Sequence, residues 1–191
     1  MSCAIILHGP IGCGKTMTCH GLMEKARNEN IPLGGVISQR YFVDGLLKGY
    51  DCMDIATGEA FPLARLVEDV EGDDWFQYSR LKYAFSHSGF EQANSVLSSS
   101  AELLSQGGLV FVDEFGRLER KRQGLFPGIF SVVEALKDGG IAVFACRSNF
   151  VESVTQLLKG RARRVYRREP GNLESLWTVV SKRLLAPGAP E

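Results

Sequence analysis

An α/β fold, built on one mostly parallel sheet with an antiparallel meander inserted into it, is what the sequence predicts. Three observations carry this expectation. Short apolar runs of buried-strand type alternate with helical periodicities along most of the 191 residues. The first run, Ala4-Ile5-Ile6-Leu7-His8, leads straight into Gly9-Pro10-Ile11-Gly12-Cys13-Gly14-Lys15-Thr16 and then a helical pattern, the order strand, glycine loop, helix. Residues 39–65, by contrast, are cut by Asp44-Gly45 and Thr57-Gly58 into short runs suited to hairpins.

The elements follow in order. After the glycine loop, Cys19, Leu22, Met23 and Ala26 fall on one helical face, and the helix ends near Asn28–Asn30 because Pro32 blocks its continuation. Leu33–Ser38 reads as a second strand. The runs Tyr41–Val43, Leu46–Ile55 and Ala60–Ala64 make the meander, whose ordinary role is to extend the sheet and whose alternative is to cover one side of a ligand pocket; extension is preferred. Residues 66–79 read as an acidic loop. Its aromatics Trp75, Phe76 and Tyr78 suit a cluster that pins the loop better than a stack on a base. Leu81–Phe85 is a further short strand.

Ala93, Val96, Leu97, Ala101 and Leu104 mark a long helix stopped by Gly107-Gly108. Leu109-Val110-Phe111-Val112-Asp113-Glu114 is a buried-strand run ending in two carboxylates. Residues 123–128 read as a loop, and Ile129, Val132, Val133 and Leu136 as a helix stopped by Gly139-Gly140. Ile141–Cys146 is another buried strand, and a helix bearing Phe150, Val151, Val154, Leu157 and Leu158 follows. A short strand near Arg164–Tyr166 precedes a last helix with Leu173, Leu176, Trp177, Val180 and Leu184 on one face. With no repeat and no linker, residues 1–185 are expected to form a single domain and 186–191, rich in Ala, Pro and Gly, a frayed tail.

The glycine loop is the first half of a chemistry. Glycines let successive amides curl inward around one anion, and the following helix adds the positive end of its dipole. Lys15 is placed to reach β- and γ-phosphates and Thr16 to hold Mg²⁺. An accidental match to G-x-x-x-x-G-K-T is expected in about one chain in a hundred of this length. The nucleotide-contacting set is then Gly9, Pro10, Ile11, Gly12, Cys13, Gly14, Lys15, Thr16 and Met17. Asp113, ending an apolar strand, fits the carboxylate that completes the metal shell, and Glu114 beside it can orient the attacking water. Transition-state charge asks for a further cation; Arg117 is the nearest candidate in sequence and Arg147 the second. The cluster Lys159, Arg161, Arg163, Arg164, Arg167 and Arg168 reads as a charged edge strand in preference to a phosphate or RNA patch.

Composition narrows the partners. Lys plus Arg and Asp plus Glu both total 22, so no net field attracts nucleic acid or anionic lipid. Five cysteines without C-x-x-C pairs argue against a disulfide framework or zinc site. The opening apolar run is too short for a signal peptide, and no stretch approaches the ~20 apolar residues of a membrane span. A cytoplasmic protein acting on a nucleoside triphosphate, with no membrane partner, is the expectation. Oligomeric state is not encoded in any readable motif.

The loop GPIGCGKT, the strand GGVIS, the hairpin around GLLKGYD and the run VFVDEFGRLE together resemble the cancer-related nucleoside-triphosphatase family of small P-loop proteins. Asp113-Glu114-Phe115-Gly116-Arg117-Leu118-Glu119 is similar to that family's Asp-Glu-Ile-Gly-Lys-Met-Glu signature, with Arg117 where lysine is usual and Met17 where a second threonine is common. The resemblance implies a three-layer, RecA-like core. It also implies slow, Mg²⁺-dependent hydrolysis of ATP, GTP and other triphosphates to diphosphates, with Lys15, Thr16, Asp113 and Glu114 in the roles argued above. Two other classes compete. A nucleoside or nucleotide kinase shares the loop but needs a second substrate site. A nucleotide-dependent switch would act through a partner; no Asn-Lys-x-Asp or Leu-Ser-Gly-Gly motif supports that version.

Overall fold

The computed structural model describes residues 2–185; the expected tail at 186–191 lies outside the described residues. Among those described, nine strands form one sheet. In chain order the elements are β1 (Cys3–His8), α1 (Lys15–Asn28), β2 (Leu33–Val43), β3 (Leu46–Asp54), β4 (Ala60–Leu66), β5 (Trp75–Gln77), β6 (Tyr83–Ser86), α2 (His87–Ser100) and α3 (Glu102–Ser105). They continue with β7 (Leu109–Phe115), α4 (Arg117–Arg120), α5 (Phe126–Ala135), β8 (Ile141–Cys146), α6 (Val151–Leu158), β9 (Arg164–Arg168) and α7 (Leu173–Leu184).

The sheet order is β5-β6-β4-β3-β2-β7-β8-β1-β9. Pairings from β2 through β7, β8 and β1 to β9 are all parallel, and those from β2 outward to β5 are all antiparallel. The parallel half is the expected core and the antiparallel half the expected meander, extending the sheet. Strands β1, β7 and β8 are buried on both faces, which is why they read as continuous apolar runs. Their side chains alternate between two cores. Ala4, Ile6, Val110, Val112 and Phe144 face α2, α5 and α6; Cys3, Ile5, Leu7, Leu109 and Phe111 face α1 and α7. Helix layers on both faces make the three-layer architecture.

One residue of that core has no latitude. Gly35 in β2 has φ +97°, and a Cβ there would lie 2.0 Å from the Phe111 carbonyl oxygen of the neighbouring strand. At the hairpin tip, Asp44 (φ 49°) and Gly45 (φ 76°) form the left-handed turn their dipeptide predicts.

The structure revises several boundaries. The second strand does not stop at Ser38 but runs to Val43, absorbing Tyr41–Val43 as its pairing surface for β3. The acidic loop contains β5, because Trp75–Gln77 finds a partner in β6. The long helix starts at His87, where the Ser86 hydroxyl accepts from the Gly89 amide, and breaks at Ala101 before the short α3. Residues 126–128, expected as loop, open α5, since proline in a first helical turn costs no hydrogen bond. Helix α4, four residues long, is too short to leave a periodicity in the sequence. Phe76 packs on Phe85 and Phe90 with ring centroids 6.0 Å apart in each pair, so it belongs to a cluster, as preferred. Strand β9 is the charged sheet edge, with Arg161 paired to Glu134 and Arg167 to Glu152 on its flank. No helix among the described residues is long and apolar enough to cross a membrane.

Candidate active site

The carboxyl ends of β1, β8 and β7 lie side by side, and the glycine loop leaves the first of them. Gly12 (φ 78°) and Gly14 (φ 94°) take the left-handed conformation that curls the loop. Gly14 is also the N-cap of α1, where no side chain caps the helix and no acid occupies the first turn. The first amides of α1 are thus left for an anion, and nothing in the sequence competes for them. Ile11 (68% exposed) and Met17 (73% exposed) stand at the loop's mouth, where burial would ordinarily be expected of such side chains.

Lys15 is folded back over the loop. Its Nζ donates to the carbonyls of Gly9 (3.1 Å) and Pro10 (2.9 Å) and lies 3.7 Å from Cys13 Sγ. These contacts hold the ammonium against the inside of the loop. Thr16 points the other way: its hydroxyl donates to Asp113 Oδ2 at 2.9 Å, and the Ser38 amide donates to the same oxygen at 3.3 Å. Asp113 is buried, and burial first and Glu114 second push its carboxyl up to about 6, against the opposing Thr16, Ser38 and Lys15 interactions. Among the described residues no group of three or more His, Cys, Asp or Glu side chains could hold a metal. Thr16 Oγ1 and Asp113 Oδ2 could supply two oxygen ligands. Adjacent corners of a Mg²⁺ octahedron with ~2.05 Å bonds are about 2.9 Å apart, which fits their separation.

Glu114 owes its position to a bulge. Asp113 pairs with Ala145 and Phe115 with Cys146, so Glu114 is an extra residue in β7. Simple alternation would send Phe115 to the α1 face with Phe111 and Asp113; instead it packs in the opposite core. The bulged Glu114 is exposed, and its charge helps to raise both Asp113 and, after burial and Tyr83, the Tyr50 hydroxyl on β3. The meander therefore borders this strand end as well as extending the sheet. Glu119, buried, secures the turn that follows: its carboxylate accepts from the Gly116 amide (2.9 Å) and the Leu125 amide (3.1 Å).

Lys15, Thr16 and Asp113 are thus brought together, with Glu114 adjacent. Arg117 lines a cleft with Arg120, Lys121, Tyr78 and Phe150. Arg147 is exposed just beyond β8. The Ser38 amide and Glu119 carboxylate were not singled out in sequence as contributors; the first is a backbone group no motif marks, the second lay unassigned at the end of the 113–119 run.

Comparison with known proteins bears on the fold and the family. None of the curated proteins compared matches the chain. A solved structure titled a human cancer-related nucleoside triphosphatase is similar over 97% of this chain and 99% of its own, with 21% identity and TM-score 0.65. THEP1 from the hyperthermophile Aquifex aeolicus is similar over 93% of this chain and 98% of its own, with 14% identity and TM-score 0.65. At these identities the two structures establish the shared fold. The sequence profile described as NTPase matches residues 4–180, from the first buried strand well into the last helix, and the chain belongs to that NTPase family.

Proposed function

We propose that the chain is a Mg²⁺-dependent nucleoside triphosphatase that hydrolyses ATP, GTP and other triphosphates to the diphosphate and phosphate, with little discrimination between bases. The 2.9 Å hydrogen bond from Thr16 to Asp113 carries this reading, because it joins the phosphate loop to the strand end that bears the second carboxylate. The triphosphate's β- and γ-oxygens occupy the loop amides and the free start of α1. Lys15 exchanges the Gly9 and Pro10 carbonyls for those oxygens, a small movement of an ammonium already at the loop. Thr16 and Asp113 would hold Mg²⁺, which when bound neutralises charge on the β- and γ-phosphates.

Glu114, exposed on its bulge beside Asp113, orients a water and accepts its proton as the new O–Pγ bond forms and the bond to the β-phosphate oxygen breaks. Its exposure suits this role, since solvent reaches it directly. Weak base discrimination follows from a machinery that touches phosphates alone. The cysteines, all free thiols, suit a reducing compartment, and we place the activity in the cytoplasm.

The test is phosphate release from ATP, GTP, CTP and UTP, with and without Mg²⁺. Comparable kcat/KM across the panel and dependence on the cation are expected. A preference above about a hundredfold, ~2.7 kcal/mol, would require a dedicated base reader and contradict the proposal. Loss of all turnover in the purified chain would do the same.

A further inference from the structure

Beside the strand ends lies a second concavity that the hydrolytic reading does not use. It has a volume of about 430 Å³ and opens between α4, the 3-10 turn Ser148–Phe150 after β8, and the segment 78–81. Three cations, Arg117, Arg120 and Lys121, share its wall with the rings of Tyr78 and Phe150 and the amide of Asn149. The Arg120 guanidinium lies 5.6 Å from the Phe150 centroid and the Lys121 ammonium 5.3 Å from that of Tyr78. Among the described residues none of these three cations has a carboxylate within ion-pairing distance, whereas Lys25, Lys48, Arg65, Lys137, Arg161 and Arg167 all do. Glu119, the buried acid of the same short helix, is committed to the Gly116 and Leu125 amides.

Three uncompensated cations in one cleft repel each other, and an anion relieves that repulsion. The half-buried Tyr78 ring and a side-chain amide add what a bare phosphate or sulfate would not need: a face for a planar ring and a donor–acceptor pair for its edge. The size suits one base with one phosphate. The cleft also lies at the carboxyl edge of the sheet, and Arg117 follows Glu114 by three residues, so it adjoins the end of β7 that faces the phosphate loop.

We propose that this cleft is a second nucleotide site, taking a base-plus-monophosphate unit either as a free nucleoside monophosphate or as one residue of a nucleic-acid strand. Arg120 and Lys121 hold the phosphate, Tyr78 stacks on the base, and Asn149 reads its edge. The site works whether or not the loop hydrolyses a triphosphate.

The test is equilibrium binding of radiolabelled AMP and GMP, and of short 5′-phosphorylated RNA and DNA oligonucleotides. The protein's loop is filled with a Mg²⁺-bound β,γ-imido triphosphate, or disabled by Lys15→Ala. Binding that persists under both conditions, weakens with salt, and falls about tenfold or more in Arg120→Ala/Lys121→Ala is expected. Arg120 and Lys121 are exposed, so this variant retains its fold; Tyr78→Leu, which removes only a ring, should weaken binding without changing the salt slope. Binding of strands but not of monophosphates, with the same loss in the variant, identifies the strand as the source. Absence of both, equal binding in wild type and variant, or full competition by equimolar inorganic phosphate overturns the proposal. Retained binding in a Lys15→Ala protein that no longer hydrolyses triphosphate separates this site from the loop.

Discussion

Thr16 and Asp113 stand 97 positions apart in the chain and share a 2.9 Å hydrogen bond. The donor sits in the first turn of α1 and the acceptor at the end of a buried strand, so the bond ties the loop's helix to the sheet edge. It also holds a carboxylate in a place that burial disfavours. Division of labour between these two elements gives the first expectation.

Lys15→Ala should abolish tight triphosphate binding, because the loop's only ammonium is lost. Glu114→Gln should keep binding and lose about 10²–10⁴ in kcat, the usual contribution of a positioned base. Titration calorimetry beside phosphate release distinguishes the two. Wild-type turnover in Glu114→Gln would remove it from the mechanism.

Asp113 makes the metal-free protein pH-sensitive. Its carboxyl is raised to about 6 from the usual 3.8, so the folded state binds more protons than the unfolded one between those values. This residue's contribution to stability is therefore greatest below about pH 4 and is lost as pH rises to about 6, by up to about 3 kcal/mol. Asp113→Asn keeps an oxygen for Thr16 and Ser38 without the charge. It should unfold at higher denaturant concentration than wild type at pH 8 in chelator, while losing hydrolysis. A lower midpoint would refute the argument.

Cys13 is the one cysteine of the five that is not buried. Burial pushes the thiols of Cys3 and Cys146 up to about 11 and Cys52 up to about 12, and Cys19 well above its ordinary value. Brief iodoacetamide treatment should label Cys13 first, with loss of hydrolysis, since the added group crowds the phosphates. Bound Mg²⁺ and nucleotide should protect it. Mass-spectrometric mapping that finds equal labelling with and without nucleotide would take Cys13 off the binding surface.

Gly35→Ala should cost more than about 4 kcal/mol, because both the left-handed φ and the 2.0 Å approach to Phe111 oppose a side chain. A denaturation midpoint within error of wild type would mean that β2 and β7 can separate at this point.

What the sequence revealed and what it concealed divide along physical lines. Strands β1, β7 and β8 are covered on both faces, so composition alone marks them, and the glycine loop is a local backbone device written into eight consecutive residues. Asp113 was legible because a charge closing an apolar run is rare. The Ser38 amide was not, because every residue carries one. The start of α5 is ambiguous in sequence because Pro127 and Gly128 suit a loop equally well, and the choice rests on the contacts of Leu125 with Glu119 and Ile129. Strand β5 is three residues long and exists only through its pairing with β6. The offset at Glu114 is a property of two strands together, and β7 alone contains no trace of it.

That offset has a consequence for how the two clefts are kept apart. Up to Asp113 the strand presents its odd-numbered side chains toward α1; one surplus residue later the parity is reversed, and Phe115 seals the opposite layer. The chain beyond is thereby handed to the other side of the sheet, where Leu118 joins the same layer and Arg117, Arg120 and Lys121 line their cleft. A chain lacking this single residue would keep Asp113 beside Thr16 and, by plain alternation, Phe115 in the layer it already fills; only the exposed carboxylate would be gone. A one-codon deletion would leave both the phosphate loop and the packed layers whole, and would remove only the group that stands outside them.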